Sequence, residues 1–203
     1  LQGDLYALEK DHRRALAVYE KSVRANPGFF YGYLRKGQME YYLDRLSPAR
    51  VSLAQSLELM PTAEAHYLLG LMDKNEGQTA AAMEHFRTAA GTDSETGRAA
   101  MAELVRLDLS TNPSKYIASR AVVDEQNIVW VQFLNRTPVA VRDLEIRYAW
   151  LDEQGQTRQA SKSYRGPLAG GKQDQLSLGI RLNSPAEIDR RVRVEISAAR
   201  LDE

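Results

Sequence analysis

The chain of 203 residues contains no cysteine. That excludes a disulfide framework and any thiolate metal site. It suits an oxidising compartment without requiring one. Histidine is nearly as scarce, with only His12, His66 and His85. No two are four apart, so the H-E-x-x-H pattern of helical zinc proteases is missing. There is no G-x-S-x-G, Walker or dinucleotide glycine pattern either. No catalytic residue, metal ligand or cofactor site is assigned to this chain. No sign of charge dominates. Basic and acidic residues number 27 each. Up to Ser110 there are 13 basic and 15 acidic residues, and after it 14 and 12. Neither half has the basic excess of a nucleic-acid binder. No run approaches the ~20 apolar residues of a membrane span. No signal-peptide pattern is present.

What is present is a period. Gly3, Gly37 and Gly70 form one column, and Ala15, Ala49 and Ala82 another. Tyr19, Leu53 and Phe86 form a third, Ser22, Ser56 and Ala89 a fourth, and Pro27, Pro61 and Ser94 a fifth. Every first spacing is 34 residues and every second is 33. One deletion after Pro61 accounts for the difference. Such a period is the signature of stacked helix–turn–helix units.

The columns have physical reasons. Gly37 and Ala49 fall where two helices of a hairpin cross, so that only small residues let the backbones approach. Tyr19, Leu53 and Phe86 are expected to fill the space between successive units. Pro27 and Pro61 end the second helices, because proline lacks an N–H and disfavours helix in the residue before it. Residues 1–94 resemble the tetratricopeptide repeat family on these columns. The resemblance implies a right-handed superhelix whose concave face is lined by the first helix of each repeat. Glu40 and Asp73 depart from the family, in a column that is usually aromatic and where repeat 1 keeps Tyr6. Ser94 replaces the third proline.

In chain order, helices are expected at 1–10, 12–25, 29–43, a segment opening at Leu46-Ser47-Pro48, 63–75 and 79–91. Ser47 is the expected N-cap of the fourth, with Pro48 at its first position. Thr92 and Glu95 have capping-box spacing and lead into a cap helix at about 95–109, with Ala100, Leu104 and Leu107 on one face. Residues 1–110 thus form an all-α domain. Residues 110–114 read as a linker. Beyond it the period becomes two. Leu144, Ile146, Tyr148 and Trp150 alternate with polar or small residues, as do Leu176 to Leu182 and Val192 to Ala198. Residues 128–134 are more continuously apolar and suit a central strand. Turn signals fall at 135–138, 152–155, 170–171 and 183–185. Six or seven antiparallel strands in a small immunoglobulin-like β-sandwich are expected over 114–203. The fold class is α+β multidomain.

Few features suggest chemistry. Asp152 and Glu153 are adjacent but fall in a turn and read as a solvated hairpin tip. Asn135-Arg136-Thr137 matches a glycosylation sequon. His66 and His85 share a hairpin and can approach, though separated helical histidines are usually packing or surface residues. Trp130, Tyr148, Trp150, Tyr116 and Tyr164 fall mostly on apolar faces and read as core rather than as a carbohydrate platform. The aromatics of the repeats are more informative. Tyr31, Leu34, Gln38, Tyr41 and Tyr42 fall on or near the exposed face of the second repeat's first helix. Tyr67, Leu71 and Lys74 continue that surface. They suit a groove for a peptide partner. The alternative is that several of these tyrosines are inter-repeat core.

The joint Leu107-Asp108-Leu109 with Asn112 to Tyr116, and the ending 194–201, look like the C-terminal region of periplasmic zinc metalloproteases similar to the beta-barrel assembly-enhancing protease. That resemblance implies a partner-binding appendage in the periplasm, with zinc ligands in an upstream domain and none here. Leu1 falls inside a first helix, so the sequence is expected to be a fragment with more protein upstream. The rival reading is a non-enzymatic scaffold or lipoprotein that assembles an envelope complex.

Overall fold

The period of 34 and 33 residues becomes three helical hairpins in the computed structural model, which describes residues 2–202. The expectation that Leu1 falls inside a first helix concerns a residue outside those described. Helices α1 (Gln2–Leu8) and α2 (His12–Ala25) make the first hairpin. Helices α3 (Phe30–Tyr42) and α4 (Leu46–Leu59) make the second, and α5 (Ala63–Asn75) and α6 (Thr79–Ala90) the third. Helix α7 (Glu95–Asp108) follows.

Each hairpin closes on its glycine. A Cβ on Gly3 would stand 2.8 Å from the Tyr19 ring, one on Gly37 2.8 Å from Leu53 Cγ, and one on Gly70 2.7 Å from the Phe86 ring. The large column therefore packs first within its own hairpin, not only between units. It also reaches onward, since Leu53 shares a core with Ala65, Leu68 and Met72 of the next hairpin. Ala15, Ala49 and Ala82 are fully buried.

The turns repeat as closely as the helices. Lys10, Asp44 and Gly77 each adopt a left-handed backbone, with φ of 60°, 57° and 74°. Behind them Asp11, Arg45 and Gln78 donate their backbone N–H to the carbonyls of Tyr6, Glu40 and Asp73. This is the Schellman ending, in which one αL residue turns the chain and satisfies the last carbonyls of the helix.

Two helix starts differ from expectation. Helix α4 begins at Leu46 after Arg45, so Ser47 is inside the helix and makes no cap bond. Pro48 is tolerated there because first-turn N–H groups lack intrahelical acceptors. The cap of α7 is Ser94, not Thr92: Ser94 Oγ accepts the N–H of Gly97 at 3.0 Å. Thr92 donates instead to the carbonyl of Ala89. Ala100 and Leu104 are buried as expected, and so is Val105, while Leu107 is only half-buried.

The chain divides into two compact units, 1–101 and 102–203. In the second, residues 110–114 are not a plain linker. Helix α8 (Pro113–Tyr116) occupies part of the stretch. Asp108 accepts hydrogen bonds from Asn112 Nδ2 at 2.6 Å, Lys115 Nζ at 2.9 Å and Tyr116 OH at 2.9 Å.

Six strands among the described residues follow: β1 (Ile117–Val123), β2 (Ile128–Asn135), β3 (Val141–Leu151), β4 (Thr157–Tyr164), β5 (Gln173–Arg181) and β6 (Val192–Leu201). They pair antiparallel into two three-stranded sheets, β1-β2-β5 and β4-β3-β6. As its apolar run predicts, β2 is central. Val129, Val131 and Phe133 of β2, and Leu144, Ile146 and Tyr148 of β3, are buried. Phe133 meets Tyr164 of the other sheet edge-on, with ring centroids 4.8 Å apart. Tyr164 OH donates back to Asp174 of β5 at 2.6 Å. Tyr116 is buried, whereas Trp130 and Trp150 are half-buried. Between β5 and β6 the chain makes a 3-10 turn and helix α9 (Ile188–Arg191). The Asp152 turn is as expected, with Asp152 accepting the N–H groups of Gln154 and Gln156.

The sequon is structural. Asn135 is fully buried. Its Nδ2 donates to the carbonyls of Val139 and Leu168, and its Oδ1 accepts from the N–H and hydroxyl of Thr137. No side-chain polar group is left for a glycan.

Candidate functional site

The first helices α1, α3 and α5 carry the residues singled out by spacing. Their outer faces are built from polar networks that tie one repeat to the next. Asp4 of α1 stands in the same repeat column as Gln38 and Leu71. Its Oδ1 accepts the hydroxyls of Tyr19 and Tyr31, each at 2.8 Å. The Arg35 Nε lies 3.5 Å away. Burial works to raise the Asp4 carboxyl, the two tyrosine hydroxyls work to lower it, and it lies below the ordinary carboxylate range. Burial pushes Tyr19 up to about 12, against the pull of Arg35.

Tyr31 is thus half-buried, with the Arg35 guanidinium 5.7 Å from its ring centroid. Arg35 Nη1 also donates to Gln38 Oε1 at 2.5 Å, and Gln38 Nε2 donates to Tyr42 OH at 3.4 Å. Tyr42 is 50% exposed and leans on the His12 ring, with centroids 4.9 Å apart. Tyr41 lies beside Tyr42 and packs half-buried against the core of the second and third hairpins. Tyr67 is half-buried against Phe86 at 5.9 Å. Leu71 and Lys74 are half-buried on α5. Leu34 does not line this surface: it is buried, in one core with Leu53, Leu68 and Met72. Its place on α3 turns it toward α5, and apolar area wins the interior.

Spacing missed Asp4, Arg35 and His12. The period itself contained a clue to Asp4, through its column with Gln38. Arg35 and His12 could be placed only by their partners.

The departing column is buried and charged. Glu40 is 4% exposed and Asp73 2%. Ser52 Oγ donates to Glu40 at 2.6 Å, and Lys36 Nζ sits 3.1 Å from the same carboxylate. Asp73 meets Arg50 of α4 at 2.6 Å. A buried carboxylate is tolerated only with such partners. His85 Nε2 is 3.7 Å from the other Asp73 oxygen.

His66 and His85 do come together. Their Nδ1 atoms are 3.0 Å apart and their ring centroids 5.2 Å apart. Each nitrogen therefore points almost straight at the other. That suits one shared proton; two ligands of one metal would both turn toward a third point. Among the described residues no group of three or more histidine or carboxylate side chains could hold a metal ion. Nor is any described helix long and apolar enough to cross a membrane.

The tetratricopeptide repeat family matches residues 1–29 and 63–96. The chain contains tetratricopeptide repeats in those segments, and the hairpin between them has the same glycine-on-knob packing. No curated protein matches the chain. Among solved structures, MamA 41-end from Desulfovibrio magneticus RS-1 is 26% identical, with 56% of this chain and 62% of that one covered and a TM-score of 0.46. The MamA RS-1 ArsTM double mutant is also 26% identical, with 56% and 61% covered and a TM-score of 0.46. The chain spans about three fifths of the length of these MamA structures. The first TPR of Spaghetti (RPAP3), bound to the HSP90 peptide SRMEEVD, is 15% identical, with 52% and 84% covered and a TM-score of 0.47.

Proposed function

We propose that the repeat unit binds a protein segment along α3 and α5, and that this chain is the non-catalytic binding region of a larger protein of the bacterial envelope. The tyrosines of the first helices carry the reading. Tyr31, Tyr41 and Tyr67 are half-buried and Tyr42 is exposed, on one kind of helix in successive repeats. Such side chains offer apolar area and a hydrogen-bonding tip at small entropic cost. Gln38 lies among them with a side-chain amide that can pair with a peptide backbone. The tetratricopeptide repeats at 1–29 and 63–96 support an interaction role. The finer proposal is that the parent protein is a periplasmic zinc metalloendopeptidase whose zinc lies in an upstream domain. Its support is the likeness of residues 107–116 and 194–201 to that protease family.

Tyr42 gives the cleanest test, because it is exposed and Tyr41 is not. A peptide library is panned on the full chain, and the selected peptides are titrated into wild type and Tyr42→Ala. An aromatic anchor is worth roughly 2 kcal/mol or more, about thirtyfold in affinity. Tyr42→Ala should lose that much with its melting temperature nearly unchanged. Peptides that bind both proteins equally would remove the groove from this face.

A further inference from the structure

We propose that His66 and His85 form an acid-sensitive latch between α5 and α6. The two Nδ1 atoms, 3.0 Å apart, share one proton. An imidazole nitrogen can accept a hydrogen bond only while it is unprotonated, so the contact tolerates one proton at this position and not two.

The surroundings decide which ring carries it. His85 Nε2 faces the Asp73 carboxylate at 3.7 Å. Asp73 is in turn held by Arg50 of α4, which also meets Glu76 of α5 at 2.9 Å. Arg50, Asp73 and Glu76 thus form one charged cluster of α4 and α5 beside the pair. On α6, Glu84 and Arg87 flank His85 in sequence and pair with each other. We assign His85 as donor through Nδ1–H and His66 as acceptor. Consistent with this, burial first and His85 second push the His66 imidazole below its ordinary 6.5.

The sign follows. A histidine whose folded value is depressed stabilises the fold while it is neutral. That contribution is complete above 6.5 and is lost as pH falls through the lowered value. Protonated His66 then faces His85 with two donors and no acceptor, and the contact opens. Tyr67 follows His66 in sequence and packs on Phe86, the neighbour of His85. Opening would therefore loosen a residue assigned above to the peptide surface. This consequence rests on that assignment; the latch itself does not.

The experiment reads the latch without any peptide. The full chain is melted from pH 7.5 to 5, as are His66→Gln and His12→Gln. Wild type and His12→Gln should lose melting temperature across this window, and His66→Gln should lose less than half as much. An equal loss in all three overturns the proposal. Imidazole 15N shifts of the wild type give a second measurement, needed should His66→Gln fold poorly. His66 should titrate below 6.5 as an Nε2–H tautomer with a hydrogen-bonded Nδ1. A His66 that titrates at or above 6.5 overturns the latch.

Discussion

Leu53 lies over Gly37 so closely that a methyl group on the glycine would stand 2.8 Å from Leu53 Cγ and 3.2 Å from the carbonyl of Ala49. The helix crossing in the second hairpin is set by that absence of a side chain. Gly37→Ala should cost about 1–3 kcal/mol through overpacking, although alanine is the better helix former. Gly37→Leu should cost more. Thermal melts check both, and an unchanged midpoint in Gly37→Leu would contradict the crossing described here.

Asp44 turns the same hairpin with φ at 57°. Left-handed backbone costs ordinary residues roughly 1–2 kcal/mol, with less for aspartate. Glycine already fills the equivalent place at Gly77. Asp44→Gly should therefore stabilise the repeats, by up to about 1 kcal/mol. Chemical denaturation is the suitable measurement. A destabilised Asp44→Gly would mean that the aspartate side chain makes up for its strain.

Arg50 holds the buried Asp73 across the second and third hairpins. Arg50→Ala should cost up to about 3 kcal/mol, because it leaves the carboxylate buried without its cation. The figure is at the low end for a broken buried pair because Arg50 is about a third exposed. Arg50→Met combined with Asp73→Leu should recover most of the loss. If the double variant is no better than Arg50→Ala, the pair serves more than charge compensation.

Asp108 should make the second unit sensitive to acid. Burial works to raise its carboxyl, but Lys115, Asn112 and Tyr116 outweigh burial and hold it below the ordinary 3.8. A depressed carboxylate contributes stability that is complete above 3.8 and disappears as pH falls through the folded value. Wild type should lose stability below pH 3.8 more steeply than Asp108→Asn. Acid melts of the two proteins compare the slopes. Parallel curves would show that the folded joint does not depend on the charge of Asp108.

Much of the fold was legible because it is local. The spacing of Gly37, Ala49 and Leu53 against their repeat partners marks where helices cross, since a crossing needs a small residue at a fixed distance along the helix. Alternation marked β3, β5 and β6, and the apolar run marked β2 as central. Strand β4 was silent because Thr157 to Tyr164 is almost wholly polar and keeps its place by pairing with β3. Residues 110–114 looked like a linker because prolines and small polar residues break helices; only the return of Lys115 and Tyr116 to Asp108 makes the stretch a folded joint.

The candidate surface divides the same way. Periodicity alone selected the first-helix face, with Tyr31, Gln38, Tyr41, Tyr42 and Tyr67 on it. It could not distinguish Leu34, which is core, from Tyr42, which is exposed, because both fall within one turn or two of the same stripe. Asp4 and Tyr31 are 27 residues apart, and His66 and His85 are 19 apart. No helical period links such pairs. The sequence by itself determined the repeat and the alternation of the strands, because these depend on neighbours within a few residues. Which polar atoms meet, and which side chains they withdraw from solvent, was decided only when helices packed within and between the hairpins.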